Sequence, residues 1–165
     1  MLPIMLSSEI VVGLCGRGTP GARRAKLLRE AGITPWAISD EPEPGVLAGL
    51  QVLFIAGLSA PRQLAQEARA LGIIVNVEDV PELCDFHVPA CVRRGDLLLT
   101  VATGGRAPGL ARLIREWLEL KFPSQWAEYL EDLADRRERW RREGLEPTVM
   151  VDRLRRLLEE KGWLK

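Results

Sequence analysis

Histidine is almost missing from this sequence. One residue, His87, occurs in 165, and a lone histidine beside a strand reads as structural rather than metal-handling. Cysteine is scarce too. Cys15, Cys84 and Cys91 are odd in number and match no CxxC or zinc spacing. That excludes a disulfide framework and leaves no His, Cys or carboxylate cluster suggesting a bound metal, so no metal site is expected. The thiols read as reduced packing residues of a cytoplasmic protein. An excess of either charge is also absent: 23 Lys and Arg balance 23 Asp and Glu. Bulk electrostatics therefore argue for no nucleic acid and no membrane as partners. No apolar run approaches the roughly 18–20 residues that a membrane span needs. The apolar start "MLPIML" lacks a basic n-region and a long h-region, so no signal peptide is expected. Internal repeats and low-complexity tracts are missing as well.

What is present is the balance of an ordinary globular protein, long enough for one modest domain or one plus an appendage. "EIVVGLC" (9–15) is a short apolar run rich in β-branched residues and suits a buried strand. "GRGTPG" interrupts it. "ARRAKLLREAG" follows as a helix, with Ala22, Ala25, Leu27 and Leu28 near helical spacing and Gly32 as its stop. "TPWAIS" reads as a second strand with Pro35 near its start, and "DEPEPG" as a loop. Then come "GLQVLFIAG", a helix over "APRQLAQEARALG" with Pro61 in its first turn, and the strand "GIIVNV". This alternation argues for a parallel sheet with right-handed crossovers.

The pattern changes after residue 86. "HVPACVRRGDLLLTVAT" holds two alternating runs joined by Arg94, Gly95 and Asp96, a β-hairpin pattern. Val88, Ala90 and Val92 share one face, and Leu97, Leu99 and Val101 share one on the partner strand. Pro108 suits the first position of the helix "GLARLIREWLELKF". The remainder reads as helical. Trp126, Leu130, Leu133 and Trp140 align along 124–143, and Thr148 is a candidate cap for a last helix through Val151, Leu154 and Leu158. "DRRERWRRE" reads as a solvated face with i,i+4 ion pairs.

Gly16, Arg17, Gly18, Thr19, Pro20 and Gly21 fit G-x-G-x-x-G between a strand and a helix. The first glycine makes the tight turn, the second admits a pyrophosphate to the backbone, and the third lets helix and strand pack closely. The helix start then presents amides and positive dipole to phosphates. Pro20 removes one amide donor, which shifts the expected binding onto Thr19 and the amide of Gly21. The fingerprint also wants an acid about 20 residues on, and Asp40 lies at that distance. A carboxylate there binds a ribose hydroxyl and repels a 2′-phosphate, which favours NAD over NADP.

Ligands of open parallel sheets bind outside the carboxyl ends of the strands. "GIIVNVED" delivers Asn76, Glu78 and Asp79 to that edge, with strand alternation sending Glu78 and Asp79 to opposite sides. Read locally, Asp79 is a helix or turn cap before Pro81. Thr103, Gly104, Gly105 and Arg106 form a second candidate, two glycines beside a hydroxyl and an arginine suiting an anionic group. Local sequence equally allows a plain glycine turn ahead of a Pro-started helix.

"GRGTPGARRAKLLREAG" together with "NVEDVPELCDFHVPACVRRGDLLLTVATGGRAPGLARLIRE" resembles the siroheme-synthase N-terminal family, from about residue 2 to residue 120. These are precorrin-2 dehydrogenases, some of which are also sirohydrochlorin ferrochelatases. The resemblance implies an α/β fold: a Rossmann-like NAD-binding domain over 1–86, a hairpin-plus-helix dimerisation region over 87–120 and a helical segment over 121–165. It implies NAD as cofactor, a homodimer, and a tetrapyrrole substrate, precorrin-2 giving sirohydrochlorin. By position, Asp79 matches the family's catalytic aspartate. Thr19 and Pro20 match cofactor contacts in the loop, Asp40 and Glu41 match the contacts after the second strand, and Arg23 and Arg24 match an Arg-Lys pair. Thr103 falls where the family has Ser or Thr beside the tetrapyrrole pocket, and Asn76, Gly104, Gly105 and Arg106, read above from the sheet edge and the glycine turn, complete the candidate substrate contacts. The chain departs from the family at three points. Its G-G-G loop reads "GRG", its T-D-D reads Leu58, Ser59 and Ala60 ahead of a shorter helix, and the Ser before the helix-starting proline is Ala107. No fused methyltransferase domain is expected.

A substrate with eight carboxylates calls for local positive charge, for which Arg106, Arg112 and Arg93 or Arg94 are candidates. Asp79 is assigned as proton acceptor, and iron insertion would use the same carboxylate. The alternative from another class is a non-catalytic tetrapyrrole carrier or regulatory module with weakened NAD binding. A generic dehydrogenase of small substrates gives no reason for the hairpin and "TGGRAP".

Overall fold

The computed structural model describes residues 5–7 and 9–163, so residues 1–4 of "MLPIML" lie outside the described residues. The chain divides into two compact units, Met1–Val88 and Pro89–Lys165.

The first unit is a four-stranded parallel sheet of β1 (Val12–Gly16), β2 (Trp36–Ala37), β3 (Val52–Ala56) and β4 (Ile74–Val77), in the order β2-β1-β3-β4. Helices α1 (Gly18–Glu30) and α2 (Arg62–Ala70) cover it. Residues 38–51 link β2 to β3 through turns without a regular helix. The alternation of side chains along β3 explains why its sequence is apolar throughout. Val52 and Phe54 pack with Val12, Leu14 and Leu28 on one side of the sheet. Leu53 and Ile55 pack with Leu64, Ala65 and Ala68 of α2 on the other. Phe86 closes the α1 side with its ring edge-on to Phe54, centroids 5.4 Å apart.

Several boundaries differ from expectation. The second strand is only two residues long, because Pro35 donates no ladder hydrogen bond and Trp36 lies exposed on the edge. Helix α1 begins at Gly18, inside the glycine motif, rather than at Ala22. Its inner stripe is Gly21, Arg24, Ala25 and Leu28, while Ala22 faces solvent.

The second unit opens with the hairpin of β5 (Ala90–Arg94) and β6 (Leu97–Val101). Ala90 pairs with Val101, Val92 with Leu99 and Arg94 with Leu97, so the two apolar faces coincide. Only Gly95 and Asp96 form the loop, and Gly95 has φ +57°, as a glycine-first hairpin turn requires. Helix α3 (Pro108–Lys121) packs on both strands. Helices α4 (Trp126–Arg142) and α5 (Pro147–Lys161) follow. Buried Trp126 sits against Phe122 and Tyr129, and Tyr129 stacks on Trp163 at 3.8 Å. Two readings of α5 are corrected. Thr148 is inside the helix rather than capping it, since Pro147 takes the first position and Glu146 the cap. Val151 faces solvent, and Leu154, Leu157 and Leu158 turn inward instead. The charged stretch of α4 is solvated and paired as expected, Arg136 with Asp132 and Arg142 with Glu138. Among the described residues no helix is long and apolar enough to cross a membrane.

Candidate dinucleotide site and catalytic edge

The glycine motif runs from the end of β1 into the first turn of α1, and each glycine has a physical reason. A Cβ on Gly21 would lie 2.5 Å from the Gly16 carbonyl carbon and 2.8 Å from its Cα, so only glycine lets the helix lie this close to the strand. Gly18 takes φ +57° with its Cβ side open, the nearest atom being Pro20 Cδ at 3.8 Å. The loop thus fits a dinucleotide's pyrophosphate. Pro20 falls in the first turn, where amides lack helical partners anyway. The expected role of the Gly21 amide is corrected: it donates to the Arg17 carbonyl at 3.0 Å. Helix geometry leaves the amides of Gly18 and Thr19 free for an anion, beside the exposed Thr19 side chain.

Asp40 and Glu41 follow β2, and both are exposed. Asp40 is not bare. Arg17 Nη2 donates to its Oδ2 at 2.5 Å. That hydrogen bond holds the Asp40 carboxyl below the usual carboxylate range and raises the Arg17 guanidinium. The Ser39 hydroxyl donates to the Glu41 carbonyl and orders the turn.

At the end of β4 the strand stops at Val77, so alternation does not govern Glu78 and Asp79. Asp79 has φ +61°, the single non-glycine residue with positive φ among the described residues. It is exposed and its carboxylate has no hydrogen bond or ion pair there. It is therefore no cap: the following 3-10 turn, Pro81–Leu83, has Val80 at its cap without a side-chain bond. A strained, unpartnered acid is a recurrent mark of functional sites.

Glu78 was expected at this edge, but its partners were missed. Glu78 Oε1 accepts from Arg23 at 3.0 Å and lies 3.6 Å from Arg24, while its Oε2 is buried without a partner. Burial lowers the Arg24 guanidinium below its ordinary value, against the pull of Glu78, and the group also lies over the Phe54 ring. The signal was present: Arg24 sits on the stripe with Gly21 and Leu28, and a charge there needs a buried partner. Asn76 is also more enclosed than expected. It is buried, its amide donates to the Phe86 carbonyl at 2.9 Å, and its Oδ1 is unpartnered.

The second candidate cluster lies in the turn between β6 and α3. Thr103 Oγ1 accepts from the Ala107 amide at 3.3 Å, which supplies the stabilisation that Ala107 itself lacks. Gly104 and Gly105 take φ +63° and +77° with open space on their Cβ sides. The Arg106 side chain has no partner among the described residues and is exposed. Two of the candidate cations are corrected. Arg94 is engaged with the carbonyls of Phe122, Arg93 and Glu119, closing the end of α3. Arg112 pairs with Glu116 on its own helix.

A parallel sheet in the order β2-β1-β3-β4, a glycine turn from β1 into α1 and an acid after β2 define a Rossmann-type dinucleotide-binding protein. Residues 4–90 match the family model described as "Putative NAD(P)-binding", and the chain belongs to that family. It is 33% identical over 145 residues to the siroheme synthase of Methylobacillus flagellatus, covering 74% of this chain and 31% of that one. It is 31% identical over 185 residues to siroheme synthase 2 of Aeromonas salmonicida, covering 91% and 37%. The chain thus spans about a third of the length of these curated relatives. These matches bear out the resemblance to the siroheme-synthase family. Among solved structures, "SirC, precorrin-2 dehydrogenase" superposes with a TM-score of 0.69 at 18% identity, over 100% of this chain and 93% of that one, and the likeness is one of fold.

Proposed function

We propose that the protein is an NAD-dependent precorrin-2 dehydrogenase producing sirohydrochlorin in siroheme or related tetrapyrrole synthesis. The observation that carries this is Asp79: a free carboxylate held at φ +61° just beyond a strand at the carboxyl edge of the dinucleotide sheet. The names of the relatives support the same reaction.

The oxidation removes a hydride and a proton from the macrocycle. NAD, when bound, supplies the hydride acceptor. The chain supplies position and a base. The amides of Gly18 and Thr19 bind the phosphates, and Asp40 with Glu41 orients the adenosine end. Asp79 takes the proton, since its carboxylate is unpartnered and therefore available to a substrate C–H. Asn76, Thr103, Gly104, Gly105 and Arg106 are the proposed substrate contacts, Arg106 pairing with a peripheral carboxylate. Residues 87–120 are the proposed dimerisation region and 121–165 the helical segment, in a cytoplasmic homodimer. Exposed Leu110, Leu113, Ile114, Trp117 and Leu120 form one stripe on α3 that suits a second copy. Ferrochelation through the same carboxylate is a secondary activity.

The test is Asp79→Asn, which tolerates the left-handed backbone as well as Asp does. The expected result is unchanged NADH affinity with loss of NADH formation from precorrin-2. Full activity of that variant would sink the assignment of Asp79. Failure of the unaltered protein to bind NADH at all would favour the carrier reading.

A further inference from the structure

The acid after β2 was expected to reject a 2′-phosphate, because a bare carboxylate repels one. The structure removes that premise, since Arg17 is bonded to Asp40. Arg17 stands where the resembling family has the middle glycine of its loop, so its side chain is an addition to the site.

Its position is set by the backbone. The Arg17 amide donates to the Ala56 carbonyl at 2.9 Å, and its carbonyl accepts from the Gly21 amide at 3.0 Å. Gly57, at φ +76°, packs so closely that a Cβ there would lie 2.3 Å from the Arg17 carbonyl oxygen. The main chain at Arg17 is thus clamped between the end of β3 and the start of α1, in an extended conformation. From that fixed point the guanidinium reaches Asp40 with Nη2 alone. Nε and Nη1 have no partner among the described residues, and the side chain is 64% exposed. Arginine has five donors in a planar fork that match a phosphate as well as a carboxylate.

We propose that Arg17 is a specificity-determining residue that lets the adenosine end of this site accept a 2′-phosphate, so that the protein binds NADP as well as NAD. This rests on the reading of "GRGTPG" and Asp40 as a dinucleotide site. The Arg17–Asp40 pair carries no net charge, so an incoming phosphate meets a neutral pair rather than a lone anion. The unused face of the guanidinium then supplies charge-assisted hydrogen bonds to it. Asp40 keeps an oxygen for the ribose hydroxyl of NAD, and the two cofactors share the site.

The experiment is equilibrium titration of the full chain with NADH and with NADPH, followed by nicotinamide fluorescence. Three proteins are compared: unaltered, Arg17→Ala and Arg17→Lys. Arg17 sits at the helix-cap position with ordinary extended φ and ψ, so alanine fits its backbone. The unaltered protein is expected to bind NADPH within about tenfold of NADH, and Arg17→Ala to weaken NADPH about 30-fold with NADH changed less than about threefold. Arg17→Lys retains part of the NADPH affinity, as a point charge without the fork. An NADPH-to-NADH ratio unmoved by Arg17→Ala overturns the proposal, as does tight NADH binding with no NADPH binding in the unaltered protein. Absence of binding for both cofactors overturns the dinucleotide site itself, and the proposal with it.

Discussion

Arg24 and Glu78 meet across the helix–sheet interface with 3.6 Å between Nη2 and Oε1, and their side chains are only 11% and 12% exposed. Arg23 reaches the same oxygen at 3.0 Å, yet it is 62% exposed. Distance alone ranks Arg23 first; burial reverses the order. Removing Arg24 leaves an enclosed carboxylate with one solvent-screened partner and strips the cation from the Phe54 ring. Arg24→Ala is expected to cost about 2–3 kcal/mol in urea unfolding, and Arg23→Ala less than about 1 kcal/mol. Equal losses for the two variants would contradict this ranking.

The glycine loop makes a second prediction. Gly21→Ala puts a methyl 2.5 Å from the Gly16 carbonyl carbon, where the obstacle is backbone and not a side-chain end that can swing away. Helix α1 must lift from β1. Unfolding stability should fall by roughly 1–3 kcal/mol, and NADH affinity should fall with it because the amides of Gly18 and Thr19 move. Unchanged stability in chemical denaturation would refute the close approach.

Asp79 holds a left-handed backbone that favours glycine. Asp79→Gly relieves that strain and should raise stability by about 0.5–1 kcal/mol while abolishing activity. A thermal melt and an NADH-formation assay on the same preparation read both effects. A lower melting temperature would mean that the carboxylate stabilises the turn.

Cys15 is buried at the end of β1, and burial, with a smaller push from Asp40, moves its thiol from 9.0 up to about 11. The folded state therefore holds its proton more tightly than the unfolded chain. The sign follows: this contribution to stability is complete below pH 9, and is lost as pH rises through about 11. Cys15→Ser should flatten the alkaline fall in stability over that window, seen in denaturation at fixed pH values. In the native protein at neutral pH, Cys15 should resist iodoacetamide while the half-buried Cys91 reacts.

The apolar stripe on α3 gives the fifth prediction. Trp117 is 55% exposed and Leu113 64%. If a second copy covers them, Trp117→Glu and Leu113→Glu yield monomers in analytical ultracentrifugation with helical content unchanged. A monomeric unaltered protein would remove the proposed homodimer.

The sequence by itself determined the parallel sheet, the hairpin and the Pro-started helix, because each rests on local periodicity or on a residue with a fixed φ. Apolar "VLFIA" reads as a strand buried on both faces, and the turn falls within the expected Arg94, Gly95 and Asp96, with Arg94 itself retained in β5 opposite Leu97. It also determined the glycine loop, since only glycine permits the contact between residues 16 and 21. The pairings that give the site its charge were decided by tertiary structure. Arg17 and Asp40 are 23 residues apart, and Arg23 and Glu78 are 55 apart. Nothing in a local window states which acid a given arginine will meet. The same holds for Asp79: a local reading made it a cap, and the fold leaves it left-handed and free, because β4 ends at Val77, too early for alternation to place it. Periodicity reports which face a residue takes, while partnership between charges depends on which strand ends the topology brings together.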